Sequence, residues 1–160
     1  MFKIFVLNLL MITFQTTLSA QTSQQNINNS ITENECAKIA IIEKNDIKAY
    51  AHLQKAIAFD PNNSTFFNSV AFMAMKQGEF KNSIDYLEKA LRIDTKNFGG
   101  NHPNVASILN NIGAVYSKLG DKKSALEYFD KAYKIISEYL GEKHPQTANI
   151  KRIRDREAEK

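Results

Sequence analysis

Two stretches of this 160-residue sequence repeat each other at a distance of 42 residues. The matching positions are Gly78 with Gly120, Ser83 with Ala125, Leu87 with Phe129, Ala90 with Ala132, and His102-Pro103 with His144-Pro145. A weaker copy lies 34 residues further upstream and includes Ala49, Leu53 and Ala56. A fixed period with small residues at fixed positions is typical of helical solenoids, whose repeats bury each other's apolar faces. The sequence therefore predicts an all-α fold of stacked helix pairs.

The stretch from Ala106 to Leu140 shows what each repeat contains. Two apolar patterns with three- and four-residue steps are joined by Leu119, Gly120 and Asp121. The first consists of Val105, Ile108, Leu109, Ile112, Val115, Tyr116 and Leu119, and the second of Ala125, Leu126, Phe129, Ala132, Tyr133, Ile136 and Leu140. Such steps indicate helices that bury one face, and a short connection makes the two helices antiparallel.

The chain resembles the tetratricopeptide repeat family. The family's Leu-Gly, Tyr, Gly, Ala, large apolar and Ala positions fall on Ile112-Gly113, Tyr116, Gly120, Ala125, Phe129 and Ala132. The 42-residue spacing, His-Pro before the helix and Leu109-Asn110-Asn111 within it are similar to kinesin light chain repeats. The resemblance implies a right-handed superhelical solenoid of about three repeats, near residues 30–63, 64–97 and 106–139, with a capping helix near 146–159. Lys44 stands in the glycine position of the first repeat.

The N-terminal residues have the pattern of a secretory signal peptide. Lys3 precedes an apolar run from Ile4 to Phe14, and small residues follow as far as Ala20. This pattern predicts a signal peptide at residues 1–20, cleaved after Ala20. An uncleaved anchor or a buried helix is the alternative, although a membrane span needs about 20 apolar residues. We therefore expect a secreted or periplasmic protein with no stable membrane insertion after cleavage.

Residues 21–34 are rich in Gln, Asn, Ser and Thr and show no apolar period. Because such a segment buries little surface, it is predicted to be a disordered polar leader. Residues 35–160 are then the repeat domain, which is long enough for a sizeable core. The formal charge of +4 includes Lys3, so the mature part is close to balanced. That balance argues against nucleic acid as a partner.

No arrangement of residues in the sequence points to catalysis. There is no nucleophile with an adjacent base, no phosphate-binding glycine loop and no isolated carboxylate pair, so we expect neither an enzyme nor a cofactor. His102 and His144 each precede a proline at a helix start, which predicts capping; a metal site would need further ligands. Cys36, the single cysteine, is predicted to be a buried thiol, and an intermolecular disulfide is the alternative.

A second stripe follows the opening helices on the side opposite the apolar one. It consists of Thr65, Asn68, Ser69, Phe72, Met75 and Lys76 in the middle repeat and of Ser107, Asn110, Asn111, Ala114, Ser117 and Lys118 in the third. Asparagine amides donate to and accept from a peptide backbone, methionine offers adaptable apolar contact, and lysines meet carboxylates. The resemblance implies that the opening helices line a concave groove in which Asn111 grips ligand backbone. Alternatively, Asn110 and Asn111 bond only to neighbouring helices.

These features predict a non-catalytic interaction module that binds an extended or C-terminal segment of another protein in its groove. A structural or assembly protein that uses the ends or outer face of the solenoid is the alternative. The sequence leaves the oligomeric state open.

Overall fold

The computed structural model describes residues 2–160, with the side chains of residues 2–10 and 14 excepted. The apolar run of the predicted signal peptide falls mostly on those excepted side chains and so lies outside the described ones. The described residues form seven α-helices and no strand, which confirms the all-α class. The helices are α1 (Phe2–Ile42), α2 (Asp46–Phe59), α3 (Ser64–Lys76), α4 (Phe80–Phe98), α5 (Pro103–Leu119), α6 (Lys122–Leu140) and α7 (Pro145–Glu159). They divide into two compact units, one ending at Pro61 and one beginning at Asn62.

In the first unit, α1 packs against α2. The turn between them places Lys44 in the left-handed region, with a φ of 57°. Asn45 caps α2, since its side chain accepts a hydrogen bond from the Lys48 backbone N–H at 3.0 Å. The buried apolar residues of this unit are Ala37, Ala40, Ala49, Leu53 and Ala56. Four of these five residues are alanines, whose small side chains are suited to close packing of two helices.

Residues 21–34 are helical and belong to α1, whereas the sequence analysis predicted a disordered leader. Ser30 is only 1% exposed, and its hydroxyl donates to the Ile27 carbonyl at 2.8 Å. Glu33 Oε2 lies 2.6 Å from His52 Nδ1 on α2. Residues 21–34 therefore make specific contacts, although their low hydrophobicity predicted that they would be disordered. Cys36, predicted to be buried, is only partly buried.

The second unit contains the pairs α3–α4 and α5–α6, followed by α7. Gly78 and Gly120 form the turns within the pairs, each with a φ of 79°. This conformation is left-handed, and glycine adopts it without strain. The first unit uses Lys44 at the corresponding place, so all three turns share one backbone geometry.

The histidine-proline segments connect one helix pair to the next helix. His102 Nδ1 accepts a hydrogen bond from the Asn104 backbone N–H, and His144 Nδ1 accepts one from Gln146, both at 3.2 Å. Each following proline occupies the first turn of its helix, where it needs no N–H partner. The predicted capping role of both histidines is therefore confirmed.

The core of the second unit is apolar and continuous around α5, α6 and α7. One cluster consists of Val105, Ala106, Leu109, Ala132, Ile136 and Ile150. Gly113 faces the buried Phe129 ring, and a Cβ at Gly113 would lie 2.8 Å from two of the ring carbons. Within the described part of the chain, no helix is both long and apolar enough to cross a membrane.

Candidate functional site

Two asparagines join the opening helices of the middle and third repeats. Asn111 Nδ2 on α5 donates to Asn68 Oδ1 on α3 at 2.8 Å, and both side chains are partly buried. The sequence placed these residues on the same stripe, and the structure brings them into contact. We call the line along which α3 and α5 face each other, with α4 beneath, the α3–α5 seam.

The asparagine pair keeps unused hydrogen-bonding capacity. One carbonyl and one NH₂ group take part in the bond between them. The other carbonyl and the other NH₂ group make no side-chain hydrogen bond within the described part of the chain. Because a peptide unit has one donor and one acceptor, the pair retains what is needed to bind one.

On one side of the asparagine pair lies an apolar pocket of about 250 Å³ that is partly open to solvent. It is lined by Asn68, Ala71, Phe72, Met75, Ser83, Leu87, Asn111, Ala114 and Val115. Phe72 is 52% exposed, so its ring is accessible from solvent at the edge of the pocket. The pocket is therefore a mainly apolar depression against which an apolar side chain of a ligand can pack.

On the other side lies a polar pocket of about 450 Å³ that opens to solvent. Its lining consists of Ser64, Thr65, Asn68, Asp94, Asn104, Ser107 and Ile108. Asp94 comes from the last turns of α4 and is 4% exposed. Among the described residues, its carboxylate has no hydrogen bond or ion pair.

Helix α7 contacts the two ends of the stripe on α5. Gln146 Nε2 donates to Ser107 Oγ at 3.3 Å, and Ser117 Oγ donates to Glu157 Oε2 at 2.7 Å. Lys160 Nζ also donates to Ser117 Oγ, at 2.9 Å. Ser107 and Ser117 therefore hold α7 in place, a role that the sequence analysis did not assign to them.

Glu157 is the charged centre of this α7 contact. It is 5% exposed and accepts hydrogen bonds from Lys160 and Ser117, both at 2.7 Å. Burial raises the pKa of its carboxyl, but these two hydrogen bonds and the charges of Lys160 and Lys122 outweigh burial, so the pKa is lowered. The ionised form is therefore the one that stabilises the docked helix.

The sequence of residues 63–136 matches the tetratricopeptide repeat family. Residues 63–136 are tetratricopeptide repeats. Stress-induced-phosphoprotein 1 of Caenorhabditis elegans is 33% identical over 64 residues, which are 40% of this chain and 20% of that protein. The chain thus spans about a fifth of the length of this curated relative.

Solved tetratricopeptide repeat structures show the same fold. The N-terminal domain of stress-induced protein-1 from C. elegans has a TM-score of 0.65 at 23% identity, over 79% of this chain and 95% of that one. The TPR2B domain of yeast Sti1, in complex with pHsp70, has a TM-score of 0.68 at 15% identity, over 82% and 97%. A Podospora anserina putative kinesin light chain with TPR-like repeats has a TM-score of 0.68 at 16% identity, over 79% of this chain and 64% of that one. These similarities confirm the predicted solenoid fold.

The structure divides the predicted site residues of the tetratricopeptide repeats into two groups. The pockets on the α3–α5 seam are lined by Thr65, Asn68, Phe72, Met75, Ser107, Asn111 and Ala114. The remaining predicted residues line neither pocket and are Ser69, Lys76, Asn110, Ser117 and Lys118. The two lysines, expected to meet a carboxylate, therefore lie outside the pockets that the seam forms.

Asn110 shows how the asparagine pairing changes from one tetratricopeptide repeat to the next. Its Oδ1 is buried without a hydrogen-bond partner among the described residues. The 42-residue offset pairs Asn68 with Asn110 and Asn111 with Ile153. Because Ile153 offers no donor, the bond between Asn68 and Asn111 has no counterpart between Asn110 and α7.

Sequence reasoning missed Asp94, the only charged residue that lines either pocket of the seam. The signal was present in the repeat comparison, because Asp94 corresponds to Ile136 at the 42-residue offset. Ile136 is fully buried in the apolar cluster of the second unit. An acidic residue at a core position of a tetratricopeptide repeat is a departure that a tally of charges does not reveal. The described residues contain no group of three His, Cys, Asp or Glu side chains placed to hold a metal ion.

Proposed function

We propose that this tetratricopeptide repeat protein is a non-catalytic binding module that holds an extended segment of another protein along the α3–α5 seam. The observation that carries this proposal is the asparagine pair at the centre of the seam, with one pocket on each side. An extended chain presents backbone groups and side chains at regular intervals. The seam offers amide groups for the backbone and two separate pockets for side chains.

The structural comparison supports a protein or peptide as the ligand. The TPR2B domain of yeast Sti1 has the same fold and was solved in complex with pHsp70. In this chain the seam carries an acidic pocket residue, Asp94, and two lysines lie outside the pockets. The identity of the bound segment is therefore expected to be specific to this chain.

We place this binding function outside the cytoplasm. The proposal rests on the predicted signal peptide at residues 1–20, with cleavage after Ala20. The pattern of burial is compatible with cleavage. Residues 11–13 and 15–28 are all exposed, and burial begins only at Asn29 and Ser30. Removal of residues 1–20 therefore takes away no buried side chain among those described.

The test of the proposed function is the double substitution Asn68→Ala with Asn111→Ala. Removing both partners of a hydrogen bond leaves no unpaired group behind, so the melting temperature should stay close to wild type. Capture of partner proteins from an extracytoplasmic extract, identified by mass spectrometry, should be lost. The matched control is Asn82→Ala with Asn97→Ala, two exposed asparagines of α4 outside the seam. Equal capture by wild type and the Asn68/Asn111 variant would show that the seam is not the binding surface.

A further inference from the structure

Asp94 is a buried carboxylate with an open pocket above it. It is 4% exposed, and no hydrogen bond or ion pair within the described part of the chain satisfies it. Carboxylates at buried positions are normally paired. The oxygens of Asp94 reach the solvent of the pocket instead, since Asn110 Oδ1 is the only fully buried side-chain oxygen or nitrogen without a partner among the described residues. Its placement on the lining of the polar pocket indicates a partner that comes from outside the chain.

The other groups of the polar pocket favour a partner rich in N–H donors. Ser64, Thr65 and Ser107 contribute hydroxyl oxygens, and Asn68 and Asn104 contribute amide oxygens. These groups both accept and donate hydrogen bonds, and the oxygens of Asn68 and Ser107 already accept one each, from Asn111 and Gln146. The charge of the pocket comes from Asp94 alone, and a carboxylate complements an ammonium or guanidinium group through charge-assisted bonds that are stronger than neutral ones.

A metal ion fits the polar pocket less well than an organic cation. Calcium takes six to eight oxygen ligands, usually with several carboxylates, and the pocket provides one carboxylate. The described residues include no group of three His, Cys, Asp or Glu side chains that could hold a metal. The pocket opens to solvent, so the end of a long side chain can enter it while the stem lies against Ile108.

At the corresponding place in the next repeat, an apolar residue replaces the aspartate. Asp94 corresponds to Ile136, which is fully buried in a cluster with Ala106 and Ile150. The aspartate at this repeat position therefore belongs to the α3–α5 seam, where the polar pocket lies beside the apolar pocket with the asparagine pair between them.

Taking these observations together with the proposed function, on which this inference rests, we propose that the polar pocket receives a lysine or arginine side chain of the bound segment. Asp94 selects that residue, while the apolar pocket receives an uncharged residue nearby in the same segment. The protein therefore binds segments that combine one cationic and one apolar residue.

The test uses fluorescein-labelled peptide pools of about ten residues, roughly 33 Å when extended. Both termini are blocked, one position is fixed as Lys, Arg, Gln or Glu, and the other positions are mixtures of uncharged residues. Fluorescence anisotropy measures binding to the whole chain. Wild type should bind the Lys and Arg pools about tenfold more tightly than the Gln pool, as expected for a hydrogen bond to a charged group.

The decisive variant is Asp94→Asn, which keeps the shape of the side chain and removes its charge. It should bind the Lys, Arg and Gln pools equally and should keep the wild-type affinity for the Gln pool. Asp94→Ile, which introduces the residue found at this position in the next repeat, should likewise show no preference for the Lys and Arg pools over the Gln pool. The matched control is Asp85→Asn, an exposed aspartate on the same helix, which should keep the wild-type preference. Circular dichroism establishes that each variant is folded.

The outcomes separate this inference from the proposed function. Binding of all pools by wild type without a preference for Lys or Arg would overturn the cationic pocket and leave the peptide-binding function standing. A preference that persists in Asp94→Asn would also overturn it. No binding of any pool by folded wild type would contradict both proposals.

Discussion

Gly113 and Phe129 form a size-matched pair at the centre of the third repeat. Phe129 is 1% exposed, and a Cβ at Gly113 would lie 2.8 Å from its ring and 3.1 Å from the Ala125 carbonyl oxygen. The corresponding residues of the middle repeat are Ala71 and Leu87. A larger residue on the opening helix is thus matched by a smaller one on the second helix.

This pairing predicts the effect of Gly113→Ala. The added methyl group overpacks the site, which costs about 1–3 kcal/mol. The higher helix propensity of alanine offsets about 1 kcal/mol of this cost. The free energy of unfolding should therefore fall by about 1 kcal/mol. Adding Phe129→Leu recreates the middle-repeat pair and should recover part of the loss. Urea unfolding of the two single variants and the double variant measures the coupling. Strictly additive effects would show that the two sites do not interact.

Charged and polar contacts at the C-terminal end of helix α7 supplement its apolar packing against α5 and α6. Glu157 bonds to Ser117 and Lys160, and Lys122 Nζ donates to the Ala158 carbonyl at 2.8 Å. Further along the helix, the Arg154 guanidinium lies 4.4 Å from the centre of the Tyr133 ring. These contacts supplement a single well-buried aliphatic residue of α7, Ile150.

Glu157→Gln should lower the free energy of unfolding by about 1 kcal/mol near neutral pH, because it weakens hydrogen bonds to a charged group. The pKa of Glu157 is lowered in the folded state, so its contribution is present above the ordinary glutamate pKa and is lost as pH falls through the folded value. The difference between wild type and variant should therefore shrink below about pH 4.3.

Urea unfolding at several pH values measures this difference, with the exposed Glu159→Gln as control on the same helix. A wild-type advantage that grows on acidification would contradict the assigned sign.

The helices were more predictable from the sequence than the site. Small residues at fixed positions and the His102-Pro103 and His144-Pro145 pairs predicted the helix pairs and the caps, because each follows from local backbone chemistry. Asp94 escaped prediction because its importance depends on the space around it, which only the packing of three helices defines. The order of residues 21–34 escaped for a similar reason, since the partner of Glu33 is His52 on another helix.

At the scale of the whole molecule, the described side chains before Asn29 in α1 contribute little to burial. Residues 11–13 and 15–28 are exposed, and the contacts with α2 involve later residues such as Glu33. The region that the predicted cleavage removes and the region that supports the first unit are therefore different parts of one helix.

Two truncations test this division. A chain of residues 21–160 should have the same unfolding midpoint as the full chain, because no buried side chain among those described is lost. A chain of residues 35–160 should unfold at a lower midpoint, because it lacks Ser30 and the Glu33 contact to His52. Thermal unfolding followed by circular dichroism provides the comparison. Equal midpoints for the two truncations would indicate that residues 21–34 add no stability.

Helix α7 forms hydrogen bonds with Ser107 and Ser117 on α5. The apolar and the polar pocket both lie on the α3–α5 seam. A ligand that occupies one seam touches only a few side chains, and small contact areas are typical of transient encounters. If the proposed ligand binds along this seam, we expect its complex to exchange rapidly, with differences in affinity expressed mainly in the dissociation rate. Lasting attachment to a partner would then come from several copies of the recognised segment on one chain, each raising the local concentration for the next.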